Sequence, residues 1–215
     1  MVDRVRGSRG GTSAHTRQGE AEAREAHGSI LPYAADLRRV TALRGVVRFV
    51  EQHGGIDVLV NNAAIYDARA LAEIDAEAWR EVMDINIRAP VLLSAAFLPA
   101  LAKRKPSLII NVVSGTAACG GELLHRISKI ALEVLTRAVA EEHGDDVIAC
   151  SFNPGWMRTE MSESGGHPSH PARALVRFIE RHDWRVNGRV LDYRRNGSLG
   201  RIIVSRGTPA FGRER

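Results

Sequence analysis

The sequence has little cysteine and no long uninterrupted apolar run, and each shortage excludes a class of protein. Its 215 residues include two cysteines, Cys119 and Cys150, which form no spaced cluster, so we expect ordinary thiols in a reducing compartment. The longest apolar stretch, Ala89 to Ala102, has 14 residues interrupted by two prolines and is too short to cross a bilayer. We therefore expect a cytoplasmic protein without a membrane partner.

The positive charge is concentrated towards the carboxyl terminus. The net charge is +5, and residues 173–215 alone hold 11 arginines against four acidic residues. A nucleic-acid-binding segment would combine such charge with interleaved aromatic side chains or a recognition helix, and the sequence indicates neither. We expect no nucleic-acid partner, and we interpret residues 195–215 as a basic carboxy-terminal extension.

Motifs for metal binding and for hydrolytic chemistry are also missing. His167 and His170 lie beside prolines with no third candidate ligand close in sequence, so we expect no metal site. There is no P-loop and no nucleophile elbow of the serine hydrolases. The composition, 44% hydrophobic and 26% charged, is that of a globular domain.

Short apolar runs alternate with longer segments of helical periodicity, which predicts an α/β fold with a doubly wound, Rossmann-like parallel sheet. The apolar runs predict strands at Ile30–Ala35, Val58–Val60, Leu108–Val113, Val147–Phe152 and Gly188–Tyr193. The periodic segments predict helices near residues 40–50, 71–83, 87–101, 127–139 and 172–181.

Polar or turn-forming residues follow four of the predicted strands. In a sheet of this kind, ligands lie beyond the carboxyl ends of the strands, so such residues are predicted to line a common site. They are Asp36, Asn61 with Asn62, Ser114, and Pro154 with Gly155.

These segments resemble the short-chain dehydrogenase/reductase family over about residues 28–162. The resemblance lies in DVLVNNAA at Asp57–Ala64 (the family's NNAG segment with alanine for glycine), Asn86 in DINI, IINVVS at Ile109–Ser114, Lys129, and PGWMRT at Pro154–Thr159. It implies hydride transfer between NAD or NADP and a small carbonyl or alcohol substrate, in a homodimer or homotetramer.

The resemblance also implies roles for individual residues. Ser114 would fix the substrate oxygen, Lys129 would hold the cofactor ribose and lower the pKa of the catalytic group, and Asn86 would support a proton path. The cofactor contacts that it implies are Asp36, Asn61, Ala63, Lys129, Pro154, Gly155 and Thr159.

The sequence departs from the family at the catalytic tyrosine. The YxxxK pair is present as His125 and Lys129, one helical turn apart and on the same helix face. Imidazole exchanges a proton near neutral pH, and the lysine charge disfavours the imidazolium, so His125 is predicted to be a neutral general base. The alternative is a half-exposed histidine at the start of a helix, in a site that has lost reductase activity.

A second departure lies at the amino terminus. The family places two strands, two helices and a glycine-rich turn before the strand at Ile30, roughly 50 residues, and 29 residues precede it here. Gly7–Gly11 resembles the glycine turn only loosely, because no strand and helix flank it. We interpret residues 1–19 as a flexible leader and 20–194 as a Rossmann-like domain whose sheet is incomplete on its amino-terminal side.

Three functions remain open from the sequence. The first is an NAD(P)(H)-dependent oxidoreductase of altered or impaired efficiency. The second is a cofactor-independent dehydratase, cyclase or isomerase that uses His125 as base and Ser114 as hydrogen-bond donor. The third is a catalytically silent oligomer partner that associates through the helices near residues 87–101 and 127–139.

Overall fold

The computed structural model describes residues 30–115, 122–158, 164–181, 184–196 and 199–205. The predicted leader, Cys119 and Thr159 lie outside these ranges.

The described residues form one five-stranded sheet flanked by helices. The strands lie side by side in chain order: β1 (Val58–Asn61), β2 (Leu108–Val112), β3 (Ile148–Asn153), β4 (Arg189–Asn196) and β5 (Leu199–Ser205). β1 to β4 are parallel, and β5 is antiparallel to β4. The helices are α1 (Val40–Gln52), α2 (Ala76–Met83), α3 (Ala89–Ala102), α4 (Leu123–His143) and α5 (Ser169–Arg181). The predicted α/β class and parallel sheet are confirmed.

Helices cover both faces of the sheet. Leu59 and Ile109 lie in register on one face, in a core cluster with Phe97 of α3. Ile110 lies on the opposite face and packs in a second cluster with Phe178 of α5. Because β2 is covered on both sides, every one of its residues is buried, which explains why all of them except Asn111 are apolar.

The two helices predicted between β1 and β2 are joined end to end. A π-helical segment, Asp84–Arg88, connects α2 to α3 and places Asn86 in the interior. In a regular α-helix the carbonyl of Asn86 would accept a hydrogen bond from residue 90, but Pro90 has no N–H, and the wider π turn accommodates this loss. By length and composition the stretch Ala76–Ala102 would be able to span a membrane; its apolar side chains, however, contribute substantially to the core described above.

The predicted strand at Ile30–Ala35 is wrong. Residues 30–36 are neither strand nor helix, because within the described residues no strand lies beside them to take their backbone hydrogen bonds. The segment packs instead on α1, where the ring of Tyr33 lies 4.7 Å from that of Phe49. A Cβ at Gly45 would meet the Tyr33 hydroxyl, so the ring in this position packs on a glycine of α1.

The predicted boundary of the basic extension at residue 195 is also wrong. β4 continues to Asn196, and β5 follows at Leu199–Ser205. The run Ile202–Val204 is β-branched and suits a strand, but the arginines around it concealed that preference in the sequence. Residues 206–215 lie outside the described part of the chain.

A chain of buried polar side chains crosses the α3/α4 face of the sheet. Asn61, Asn111 and Ser151 are in register on β1, β2 and β3. The amide of Asn61 donates to Asn111 at 2.8 Å, the amide of Asn111 donates to Thr136 of α4 at 2.9 Å, and Thr136 shares a 2.8 Å hydrogen bond with Ser151. All of these groups are buried, so each hydrogen bond replaces one that water would otherwise make.

Asn111→Ala is expected to lower the free energy of unfolding by about 2–3 kcal/mol, because it removes two buried hydrogen bonds and leaves a cavity. Urea denaturation checks the value, with Gln52→Ala, at an exposed side chain at the end of α1, as the control. A loss no greater than that of the control would contradict a structural role for the polar chain.

Candidate active site

Lys129 connects α4 to the carboxyl end of β2. Its side chain is buried, and its Nζ donates a 2.8 Å hydrogen bond to the carbonyl oxygen of Val112, the last residue of β2. Burial lowers the pKa of Lys129 to about 8. The ammonium is therefore held close to the strand end where the sequence predicts a site.

Ser114 follows the same strand end. It lies two residues beyond Val112 and is exposed. Lys129 and Ser114 are thus placed at the same edge of the sheet.

Asn86 is fully buried, and its side chain makes three hydrogen bonds. Its Oδ1 accepts from the backbone N–H of Ile65 at 2.9 Å, and its Nδ2 donates to the carbonyl of the same residue at 3.0 Å. Nδ2 also donates to the hydroxyl of Ser128 at 3.0 Å, and that hydroxyl donates to the backbone carbonyl of His125 at 2.7 Å. Asn86 therefore links the loop after β1 to the first turns of α4.

His125 lies in the first turn of α4, partly buried, with its Nδ1 3.4 Å from the carbonyl oxygen of Ile65. Burial lowers the pKa of His125, and the charge of Lys129 lowers it further, while the Ile65 carbonyl and Glu122 act in the opposite direction. The neutral imidazole expected from the sequence is therefore favoured. The largest cause, however, is burial rather than the lysine charge that the sequence suggests.

Tyr66 and Glu122 border His125 and were missed by the sequence analysis. The ring centroids of Tyr66 and His125 are 5.5 Å apart, and the Tyr66 hydroxyl donates to Oε1 of Glu122 at 2.7 Å. This hydrogen bond is the main reason that the pKa of Tyr66 is raised. The available signal was position alone, since Tyr66 follows the NNAA segment closely and Glu122 precedes the His125 turn.

The residues implied for the adenosine side of a cofactor are engaged in protein contacts. Nε and Nη2 of Arg38 donate to the two oxygens of Asp36 at 2.9 and 3.0 Å, and this contact lowers the pKa of the carboxyl group. Asn61 donates to Ser94 and Asn111 in the buried polar chain. Ala63 is half-buried and packs against the core.

The turn after β3 is formed by Asn153, Pro154 and Gly155. The N–H of Gly155 donates to Oδ1 of Asn153 at 3.1 Å, and Nδ2 of Asn153 donates to Asp192 of β4 at 2.8 Å. Gly155 has φ +73°, a conformation that favours glycine. The turn therefore has a defined conformation beside the carboxyl end of β3.

Comparison with known proteins identifies the family. The family model described as short chain dehydrogenase matches residues 9–168. This chain belongs to the short chain dehydrogenase family. The match begins within the predicted leader, so it extends further than the resemblance noted over residues 28–162.

The chain is similar to known relatives over part of its length. It is 35% identical over 118 residues to an NADPH-dependent pterin aldehyde reductase of Arabidopsis thaliana, covering 54% of this chain and 49% of the relative. It is 31% identical over 144 residues to D-xylose 1-dehydrogenase of Caulobacter vibrioides, covering 66% and 57%. The chain thus spans about half the length of the curated relatives it matches.

Solved structures show the same fold. A short chain dehydrogenase/reductase family protein matches with a TM-score of 0.73 at 26% identity, covering 82% of this chain and 80% of the other. A blue fluorescent protein from a metagenomic library, solved in complex with NADPH, also matches with a TM-score of 0.73, at 28% identity over 84% and 82% of the two chains.

The described residues at this edge of the sheet fit the nicotinamide and ribose part of a dinucleotide. An ammonium has three N–H donors, and the hydrogen bond to Val112 uses one, so Lys129 has donor capacity suited to ribose hydroxyls. The turn at Gly155 lies at the same edge of the sheet. Among the described residues, no group of three His, Cys, Asp or Glu side chains is arranged to hold a metal ion.

Removal of the buried charge at Lys129 is expected to stabilise the fold. Because the pKa is lowered from 10.5 to about 8 in the folded state, the unfolded chain binds more protons between these values, and stability rises with pH there. Below pH 8 the buried charge lowers the free energy of unfolding by its full amount, about 3 kcal/mol. Lys129→Met is therefore expected to raise the free energy of unfolding at pH 7 by about 1–3 kcal/mol, after loss of the Val112 hydrogen bond.

Urea denaturation at pH 7 and pH 10 measures this difference, which should be smaller at pH 10. Lys103→Met, at an exposed lysine, is the matched control and should show little change at either pH. A less stable Lys129→Met protein at pH 7 would contradict a net cost of the buried ammonium.

Proposed function

We propose that this short-chain dehydrogenase is an NAD(P)(H)-dependent oxidoreductase of small alcohols and carbonyl compounds, in which His125 performs the proton transfer. The observation that carries the proposal is the pairing on α4 of a partly buried, neutral imidazole with the buried ammonium of Lys129. The names of two relatives, an aldehyde reductase and a sugar dehydrogenase, support this substrate class.

His125 acts as a general base in the alcohol-oxidising direction. The lowered pKa of its imidazole keeps the ring neutral at pH 7, so it accepts the hydroxyl proton of the substrate as the carbonyl forms. Ser114, exposed at the end of the strand, donates a hydrogen bond to the same substrate oxygen. When bound, the nicotinamide cofactor supplies the acceptor for the hydride that leaves the carbinol carbon.

Lys129 contributes in two ways. Its remaining N–H donors hold the ribose of the cofactor, and its positive charge opposes protonation of His125. The same charge disfavours the reverse reaction, since carbonyl reduction needs the imidazolium as proton donor. We therefore propose that the neutral form of His125 carries out alcohol oxidation and the minor protonated form carries out carbonyl reduction, so the rate of reduction rises as the pH falls.

Titration with NADH and NADPH, followed by nucleotide fluorescence, tests the cofactor proposal. Saturable binding of at least one nucleotide is expected, and Lys129→Met should weaken it through the loss of a ribose donor. No saturable binding up to millimolar concentration would reject the redox function.

His125→Ala is expected to lower kcat/KM for alcohol oxidation by about 100-fold, the usual contribution of a general base. In the unsubstituted protein kcat/KM should fall below about pH 6.5 as the imidazole is protonated, since the pKa of His125 lies below its ordinary 6.5. A second change is expected near pH 8, where Lys129 loses its proton. Initial rates from pH 5 to 9 measure both effects. The matched control is His53→Ala, at an exposed histidine on the far end of α1. Unchanged activity of His125→Ala would contradict the assigned role.

A cofactor-independent proton transfer is the second candidate function. It is supported by the neutral state of His125, which is suited to abstract a proton without any nucleotide. Turnover of a dehydration or isomerisation substrate without added nucleotide, lost in His125→Ala, would favour it over the redox proposal.

The homodimer or homotetramer implied by the family remains a prediction. Val134 on α4 is 53% exposed, and Val91 on α3 is 39% exposed, so both helices present apolar side chains on their outer surfaces. Light scattering after size-exclusion chromatography measures the assembly, and a stable monomer would argue against the silent-partner function.

A further inference from the structure

We propose that Asn86 is a positioning residue for His125. By holding the Ile65 carbonyl in place, Asn86 selects the imidazole tautomer that has its hydrogen on Nδ1. Nε2 is then the nitrogen that exchanges a proton with the substrate. The inference deepens the proposed function, on which the role of Nε2 rests.

The first part of the argument is the chemistry of the ring contact. Nδ1 of His125 faces the carbonyl oxygen of Ile65 at 3.4 Å. A carbonyl oxygen only accepts hydrogen bonds, so a neutral ring in this position has its hydrogen on Nδ1. Nε2 then carries a lone pair and is the basic nitrogen.

The second part is that the Ile65 carbonyl is fixed in place. The side-chain amide of Asn86 bonds both backbone polar groups of Ile65, accepting from the N–H at 2.9 Å and donating to the C=O at 3.0 Å. This pair of hydrogen bonds prevents the peptide groups on either side of Ile65 from turning away. The direction of the carbonyl that faces His125 is therefore set by Asn86.

The third part is a separate connection to the backbone of His125. The second N–H of the Asn86 amide donates to Ser128 at 3.0 Å, and Ser128 donates to the backbone carbonyl of His125 at 2.7 Å. The ring and the backbone of His125 are both tied to one fully buried amide. Both amide hydrogens of Asn86 are used in these contacts, so its side chain acts on the reaction through His125.

Within the described part of the chain, the other groups that face His125 do not compete for Nδ1. Lys129 on the same helix acts through its charge, and so does Glu122, whose Oε1 accepts from Tyr66. The Tyr66 ring, from the loop after β1, packs against the imidazole at 5.5 Å and restricts its rotation. The ring therefore keeps the orientation in which Nδ1 meets the Ile65 carbonyl.

The tautomer is measured by nuclear magnetic resonance of ¹⁵N-labelled protein, because protonated and unprotonated ring nitrogens differ widely in chemical shift. His125→Ala identifies the His125 signals. At pH 8 the unsubstituted protein is expected to show a protonated Nδ1 and an unprotonated Nε2. In Asn86→Ala the two shifts should move towards each other as the Nε2–H form becomes populated, and kcat should fall about 10- to 100-fold with little change in KM.

Ser128→Ala separates the two connections. It removes the link to the His125 backbone and keeps the Asn86–Ile65 pair, so the Nδ1–H tautomer should persist. Asn86→Ser is the second variant if Asn86→Ala does not fold, and circular dichroism reports folding for each. An Nε2–H tautomer in the unsubstituted protein, or an unchanged tautomer in a folded Asn86 variant, would overturn the inference.

If the proposed function is wrong, the experiments give a different result from the one expected if Asn86 does not position His125. Full activity in His125→Ala would reject His125 as the base and Nε2 as the exchanging nitrogen. The change of tautomer in the Asn86 variants would then still establish that Asn86 positions the ring.

Discussion

The hydrogen bond from Lys129 to the carbonyl of Val112 is the contact on which the site depends. It joins α4 to the end of β2, and it places an ammonium where solvent is excluded. That location is unfavourable for a charge, as the lowered pKa shows. The fold thus tolerates a destabilising group at the position where the proposed chemistry needs a donor and a positive charge. His125 lies one turn earlier on the same helix, so its location follows from this contact.

Polar interactions also organise the interior behind the site. Asn61, Asn111, Thr136 and Ser151 form a continuous hydrogen-bonded chain across three strands and α4. An apolar core would tolerate small shifts between strands, but a buried amide loses its partner when a strand moves by one residue. The polar chain therefore favours one strand register, and with it one arrangement of the strand ends that form the site.

The sequence predicted the elements whose pattern is local. β2 is apolar except for Asn111 and α4 has a clear helical period, and both were placed to within a few residues. Ile30–Ala35 has the composition of a strand, but strand formation requires a neighbour, and composition does not report one. β5 was missed for the opposite reason, since arginines surround its apolar residues.

The sequence predicts residues of the candidate site only where they belong to a family motif. His125, Lys129 and Asn86 were found by their resemblance to the family. The two hydrogen bonds of Asn86 with Ile65 involve backbone groups. The hydrogen bond of Tyr66 with Glu122 joins residues far apart in the chain. No periodicity or spacing reports such contacts, because they arise from tertiary packing.

The π turn before Pro90 affects which mutations this protein can accept during evolution. A π turn is in effect an α-helix with one residue inserted, and one residue corresponds to a rotation of about 100° around the helix axis. A single-codon deletion between Asp84 and Arg88 would give a regular helix and swing every upstream side chain by that angle relative to α3. Substitutions along α2 can therefore accumulate one at a time, whereas a change in its length is expected to be tolerated rarely.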